Sequence, residues 1–180
     1  MNLQKLFEAQ QVLDEHIMNE HPVQENENRL EKKILALQVE LGECANEWRG
    51  FKFWSKDREP RTKVPFVGWG EPYKNSLLEE YVDGLHFVMS IGIDLIENPD
   101  DLKYTPYHYE EFNEKNIINQ FNNVYGYIDL LYDTESDCEW YEVMNHYLGL
   151  GVMLGFTQEM IEQAYFEKNQ INHQRQNHGY

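Results

Sequence analysis

The sequence predicts an all-α helical bundle, and three observations carry that prediction. Apolar residues recur at three- and four-residue spacing through most of the chain. Ser and Thr stand where several of these stretches begin, as helix N-caps do. No run of alternating apolar and polar residues persists for the length of a strand, and there is no internal repeat or low-complexity tract.

Taken in order, Leu3, Leu6, Phe7, Leu13 and Ile17 form one apolar stripe, which places a helix over 3–18. The polar stretch 19–28 (NEHPVQENEN) breaks it, and 29–48, rich in Leu, Ala, Glu and Lys, forms a second helix. Ser76 followed by Glu79 reads as a capping box opening a helix over 76–96, whose apolar positions surround most of its circumference and predict burial. Residues 98–106 form another break. A helix is expected over 108–132, and Ser136 with Glu139 opens the next, which ends near Gly149–Gly155. Thr157 caps a last helix over 158–170, giving five or six in all.

Between the second and third helices lies a different kind of segment. Residues 49–75 hold seven Lys/Arg against three Asp/Glu, with Pro60, Pro65, Pro72, Trp54 and Trp69 among them. Pro and Gly punctuate it and no helical period survives, so it reads as a long basic, aromatic loop. Loops of this length in a compact domain tend to be functional.

The chain's 180 residues are one domain's worth, so the expected organisation is a single all-α domain over 1–180. Fifteen Lys/Arg against 32 Asp/Glu give a net charge of −17, which argues against a nucleic-acid or anionic-membrane binder. The opening MNLQKLFEAQQVLDEH does not read as a signal peptide, and no apolar run approaches membrane-spanning length. Two cysteines, Cys44 and Cys138, are too few for a disulfide framework and are expected to be small buried hydrophobes. The expected location is the cytoplasm, or a host cell's cytoplasm if a virus encodes the chain.

Several chemistries are excluded by motif. There is no phosphate-binding G-x-x-x-x-G-K-[ST], no G-x-S-x-G, no C-x-x-C and no H-E-x-x-H. Gly149-x-Gly151 with Gly155 follows no strand, so helix packing or capping is its expected use. His86, three residues after Asp83, is expected to be a hydrogen-bonded core residue or one supporting a ligand.

Carboxylates remain. Glu40 and Glu43 lie three apart on the second helix, and Glu80 and Asp83 three apart on the third. At that spacing two side chains share a helix face about 5–6 Å apart at Cβ, so both can reach one cation. Two such helices packed antiparallel would present four carboxylates to one pocket, a hard-oxygen set suited to Mg²⁺ or Mn²⁺. In so acidic a chain, chance gives about six acidic i,i+3 pairs, and solvated faces are the alternative reading. Both pairs, however, fall among apolar neighbours (Leu37, Val39, Leu41, Ala45; Leu77, Tyr81, Val82, Leu85), where adjacent acids repel and lose hydration unless a cation joins them.

The pattern of E-x-x-E on one helix and E-x-x-D on the next resembles the signature of the all-α nucleoside triphosphate pyrophosphatases, the superfamily of MazG and the dimeric dUTPases. Here it stands as Glu40-Leu-Gly-Glu43 and Glu80-Tyr-Val-Asp83. Three further stretches are similar to the dimeric dUTPase branch: Gln10-Gln-Val-Leu13-Asp14; the aromatic and lysine segment Trp48, Phe51, Lys52 and Trp54; and the run from Lys168-Asn169 through Asn172 and Arg175-Gln176 to Gly179-Tyr180. Together they span Gln10 to Tyr180. Many members carry Asn where this chain has Asp14.

The resemblance implies a homodimer that hydrolyses dUTP to dUMP and pyrophosphate, with dUDP also accepted. It implies two or three Mg²⁺ ions, with Mn²⁺ a possible substitute, held by Glu40, Glu43, Glu80 and Asp83. Glu43, with Glu40, is assigned to orient or deprotonate the attacking water. Lys168 and Arg175 would take phosphate oxygens, Asn169 and Asn172 phosphate or sugar, and Tyr180 would close the tail 165–180 over the substrate. Gln10 and Asp14 would read the uracil edge, with Lys52 and Trp54 from the loop beside the substrate and the loop's positive charge at the site's rim. Two other readings stay open: a pyrophosphatase of the same mechanism with another base preference, such as dCTP or a range of NTPs, and a non-catalytic acidic helical interaction protein.

Overall fold

The computed structural model describes residues 1–65, 73–104 and 116–179. These form seven helices and one short ribbon: α1 Leu3–Glu20, α2 Arg29–Trp48, β1 Val64–Pro65, β2 Tyr73–Lys74, α3 Ser76–Leu95, α4 Pro99–Tyr104, α5 Ile117–Thr134, α6 Asp137–Met153 and α7 Gln158–Asn177. The fold is an all-α bundle.

Local chemistry sets the helix starts. Asn2, Asn28, Asn75, Asn116, Ser136 and Thr157 each accept a hydrogen bond from a backbone N–H of the following turn. Ser136 and Thr157 cap as expected. At α3 the cap is Asn75 rather than Ser76, because the Asn75 side chain reaches Leu78 N at 3.1 Å while Ser76 is buried inside the first turn.

The centre of the bundle is α3. Leu77, Tyr81, Val82, Leu85, Val88, Met89 and Ile91 are all buried, and the helix packs against α1, α2, α6 and α7, most extensively against α2. Against α6 it is locked by two tyrosines. Tyr147 Oη donates to Tyr81 O at 2.8 Å, Tyr81 Oη donates to Tyr147 O at 3.2 Å, and the rings stack with centroids 5.0 Å apart. Glycines make the room: a Cβ on Gly84 would stand 2.1 Å from Tyr147 Oη, and one on Gly151 would stand 2.4 Å from Tyr81 Oη. Gly151 thus serves helix packing, as its spacing suggested. About two turns further along, Trp140 Nε1 donates to Val88 O at 2.8 Å, fixing α6 to α3 again.

Four differences from the sequence reading have physical causes. Residues 99–104, expected as part of a break, form the short α4, with Pro99 at its start, acids in its first turn and Leu102 buried. The helix expected over 108–132 is α5, running to Thr134; its first expected positions, 108–115, lie outside the described residues. The last helix continues beyond 170 to Asn177, because its polar side chains bond to α1 where an apolar stripe is lacking: Asn169 Nδ2 donates to Ala9 O at 3.3 Å, and His173 meets His16 with Nδ1 atoms 2.8 Å apart. Cys44 is buried as expected, but Cys138 is exposed, since it sits in the solvent-facing first turn of α6 with its N–H on Ser136 Oγ.

The loop after α2 is pinned at both ends. Arg61 N donates to Glu47 O and Leu77 N to Arg61 O, at 3.0 and 3.2 Å. Its residues 64–65 and 73–74 pair antiparallel, Val64 opposite Lys74. Trp69 and Pro72 lie outside the described residues. Among the described residues, no helix is long and apolar enough to cross a membrane.

Candidate active site

A groove of about 1050 Å³ runs between α1, α2, α3 and α7, and its two ends differ in chemistry. One stretch of its lining holds Glu40 of α2 and Asp83 of α3; another holds Gln10 and Asp14 of α1 with His86 and Ser90 of α3. Lys168, Asn172 and Arg175 of α7 line it as well.

At the acidic end, one carboxylate oxygen each from Glu40, Glu80 and Asp83 lie within 4.8 Å of one another. Each sits on the α2–α3 seam because these helices pack so extensively there. Burial, with Asp83 and Glu43 close by, pushes both Glu40 and Glu80 up to about 7. Asp83 is also raised by burial, although Lys168 Nζ donates to its Oδ2 at 2.5 Å and pulls the other way. Three half-buried acids that repel one another, all with hard oxygen donors, fit a divalent cation. Glu43 stands apart from this trio. On α2 the buried Leu37, Leu41 and Cys44 define the inward face; at 100° per residue Glu40 lies about 70° from its centre and Glu43 about 130°. Glu43 is accordingly exposed, contributing its charge to the cluster from outside.

Around Gln10 and Asp14 the lining is a polar network, satisfied among the described residues except at His86 Nε2, which is buried without a hydrogen-bond partner. Gln10, only 2% exposed, donates from Nε2 to Asp14 Oδ1 at 2.7 Å. Its Oε1 lies 2.5 Å from Tyr165 Oη and 2.7 Å from His86 Nδ1. Ser90 Oγ donates to Asp14 Oδ2 at 2.7 Å. Burial raises Asp14, opposed by the nearby Lys33 ammonium and the bonds from Ser90 and Gln10. Burial lowers His86 to about 3, so its imidazole is neutral across the physiological range.

The remaining expected residues are placed as follows. Asn172 and Arg175 line the groove, with Arg175 Nη1 donating to Asn172 Oδ1 at 3.4 Å. Asn169 is buried and spends its Nδ2 on the α1 backbone, a use that sequence did not suggest. Lys52 bonds to the Asn46 backbone and side chain, and Trp54 is 65% exposed between Phe51 and Phe53; neither lines the groove. Tyr180 lies outside the described residues. Of the loop cations, Arg49, Arg61 and Lys74 pair with Asp57, Glu47 and Glu79. The groove's own cations come from elsewhere: Lys168 and Arg175 on α7, and Arg29, Lys32 and Lys33 at the start of α2. Sequence reasoning passed over Tyr165, Ser90 and Lys33. Spacing held a signal for Ser90, since Asp83, His86 and Ser90 follow the i, i+3, i+7 rhythm of one helix face.

An all-α bundle with clustered carboxylates and basic side chains along one groove fits the class of phosphohydrolases that work through divalent cations. A family model described as dUTPase matches residues 2–180, so the chain belongs to the all-α dUTPase family and is a dUTP diphosphatase. That match sets aside the non-catalytic reading. No curated protein matches the sequence at a significant level.

Proposed function

We propose that the protein hydrolyses dUTP to dUMP and pyrophosphate with Mg²⁺, accepts dUDP as a second substrate, and acts as a cytoplasmic homodimer. The observation that supports this most is the continuity of the groove: one cavity is lined by two acids of the carboxylate cluster, Glu40 and Asp83, by cationic side chains and by the bonded Gln10–Asp14 pair. Glu40, Glu80 and Asp83, with Glu43 at the margin, would hold two or three Mg²⁺ ions. Bound there, Mg²⁺ supplies neutralisation of phosphate charge and activation of water.

The chain's own residues do the rest. Lys168 and Arg175 take phosphate oxygens, the first as a point charge and the second through its fork. Asn172 adds a neutral donor between phosphate and sugar. Glu43, with Glu40, orients the water and accepts its proton as it attacks a phosphorus and the bridging P–O bond breaks. Gln10 and Asp14 meet the uracil edge, and a base with the wrong edge would leave these buried groups unpaired. Asn169 and Tyr180 are assigned as supports around the bound substrate in the 165–180 tail, and Lys52 and Trp54, off the groove on the basic loop, as outer contacts with a minor share in binding. The exposed Leu35 and Val39, one turn apart on α2, offer an apolar strip for a second copy.

The test is pyrophosphate release from dUTP, dTTP and dCTP with Mg²⁺ and with excess EDTA, beside Glu43→Gln. Metal-dependent turnover of dUTP far above the others, lost in the variant, is expected. Equal turnover of all three bases would sink the uracil assignment, and full activity of Glu43→Gln would sink that residue's role. Light scattering on the eluting protein tests the dimer.

A further inference from the structure

The two ends of a glutamine amide are chemically opposite, so the sense in which it is held decides what it can offer a ligand. Gln10 is fixed from both sides. Its Nε2 faces Asp14 Oδ1 at 2.7 Å, and an ionised carboxylate only accepts, so the nitrogen must be the atom there. Its Oε1 lies 2.5 Å from Tyr165 Oη and 2.7 Å from His86 Nδ1. An amide oxygen only accepts, so the phenol and the imidazole Nδ1–H both donate to it. The His86 and Tyr165 rings stack with centroids 3.9 Å apart and 17° between planes, so each holds the other's donor in place. Both lone pairs of Oε1 are thereby used, and one Nε2–H is all that Gln10 has left.

We infer that His86 and Tyr165 are positioning residues for base selection: by occupying Oε1 they leave Gln10 able only to donate, beside an Asp14 able only to accept. This rests on the reading that the base lies against Gln10. Uracil presents carbonyl acceptors on both sides of an N3–H donor, so a donor next to an acceptor meets one carbonyl and the N3–H together. Cytosine has a bare N3 lone pair in place of that N–H and an amino group in place of one carbonyl. The Asp14 carboxylate would then face a lone pair, and Gln10, with Oε1 taken, could not turn to accept from the amino group. Ser90 completes the arrangement by holding Asp14 Oδ2 at 2.7 Å. Thymine carries the same edge as uracil, so this device does not exclude it, and dTTP serves as an internal control.

The experiment measures kcat and KM for dUTP, dCTP and dTTP on the wild type, Tyr165→Phe, His86→Phe, their double variant and Gln10→Ala. Tyr165→Phe removes one hydroxyl and no ring, and is expected to lower the dUTP-to-dCTP preference about fivefold, the worth of one hydrogen bond. The double variant lowers it further. The change falls on KM for dUTP with kcat kept within about twofold, and the dUTP-to-dTTP ratio does not move. Equal losses on all three nucleotides would mean a structural role and overturn the inference. If Gln10→Ala collapses the dUTP-to-dCTP ratio while the ring variants leave it intact, the inference fails and the base reading stands. If Gln10→Ala leaves the ratio intact, the base reading fails and the inference goes with it. A readout without substrate is hydrogen exchange of the Gln10 side-chain amide by NMR, protected in the wild type and faster in Tyr165→Phe; unchanged protection would also overturn the inference.

Discussion

The two ends of the groove are built on opposite electrostatic plans. At the α2–α3 end, Glu40, Glu80 and Asp83 crowd together with one ion pair, from Lys168, against their mutual repulsion. At the α1 end, Gln10 and Asp14 make four hydrogen bonds among Tyr165, His86, Ser90 and each other. The first arrangement is incomplete until positive charge arrives; in the second the bonds that hold Gln10 and Asp14 are already made, and only His86 Nε2 is left without a partner. A site can thus tolerate instability where its ligand brings compensation and must avoid it where the ligand brings only shape and a hydrogen-bonding edge.

That contrast can be broken experimentally, and the largest effect is expected at the acidic end. Asp83→Asn and Glu80→Gln should each lower kcat/KM for dUTP about 10³-fold, several kcal/mol of lost charge stabilisation, measured as pyrophosphate release at saturating Mg²⁺. Retention of activity within tenfold would place the metal elsewhere. Next in size, Gly84→Ala forces a methyl into Tyr147 Oη and should destabilise the fold by about 1–3 kcal/mol in urea titration, since the obstacle is a buried ring wedged between helices.

A smaller effect follows from the raised carboxyls. Glu40 and Glu80 titrate near 7 when folded and from 4.5 when unfolded, so folding disfavours their ionised forms. The penalty begins as pH rises through the unfolded value and is complete above the folded one. Both groups are only half buried and partly screened, so the melting temperature in EDTA should fall by a few degrees between pH 5 and pH 8. Mg²⁺ at pH 8 should restore it; a melting temperature indifferent to both would show that the acids do not act as a cluster. The smallest effect is expected from Trp54→Ala, about twofold or less on kcat/KM, because the side chain is exposed and off the groove. A loss above tenfold would instead bring the loop over the substrate during turnover.

The bundle and three of the four clustered acids, Glu40, Glu80 and Asp83, were legible because helical periodicity is local and α2 and α3 are long and strongly patterned. What spacing could not settle was the turn of each acid. Glu40 and Glu43 satisfy the same i,i+3 rule, yet only the positions of Leu37, Leu41 and Cys44 against α3 decide which faces inward. The end of α7 was illegible for a related reason: residues 171–177 dock through polar contacts to α1, which leave no periodic apolar trace. The Gln10 network was half visible. Gln10 and Asp14 share a face at i,i+4, but Tyr165 reaches them from the far end of the chain, a meeting that only the fold creates.

One consequence of the architecture concerns length. Asp83, His86 and Ser90 all project from α3, so a single helix carries both a residue proposed to hold metal and residues proposed to support the base site. Asp83 and Ser90 are seven residues apart, about 10.5 Å of axial rise. The helix is therefore a ruler whose smallest increment also turns the scale: adding one residue advances it by 1.5 Å and rotates everything beyond by about 100°. Chemistry at either end can drift by substitution, but the distance between the ends is quantised. A one-residue insertion between Asp83 and His86 should abolish hydrolysis outright, and graded activity in such a variant would show that the ruler bends.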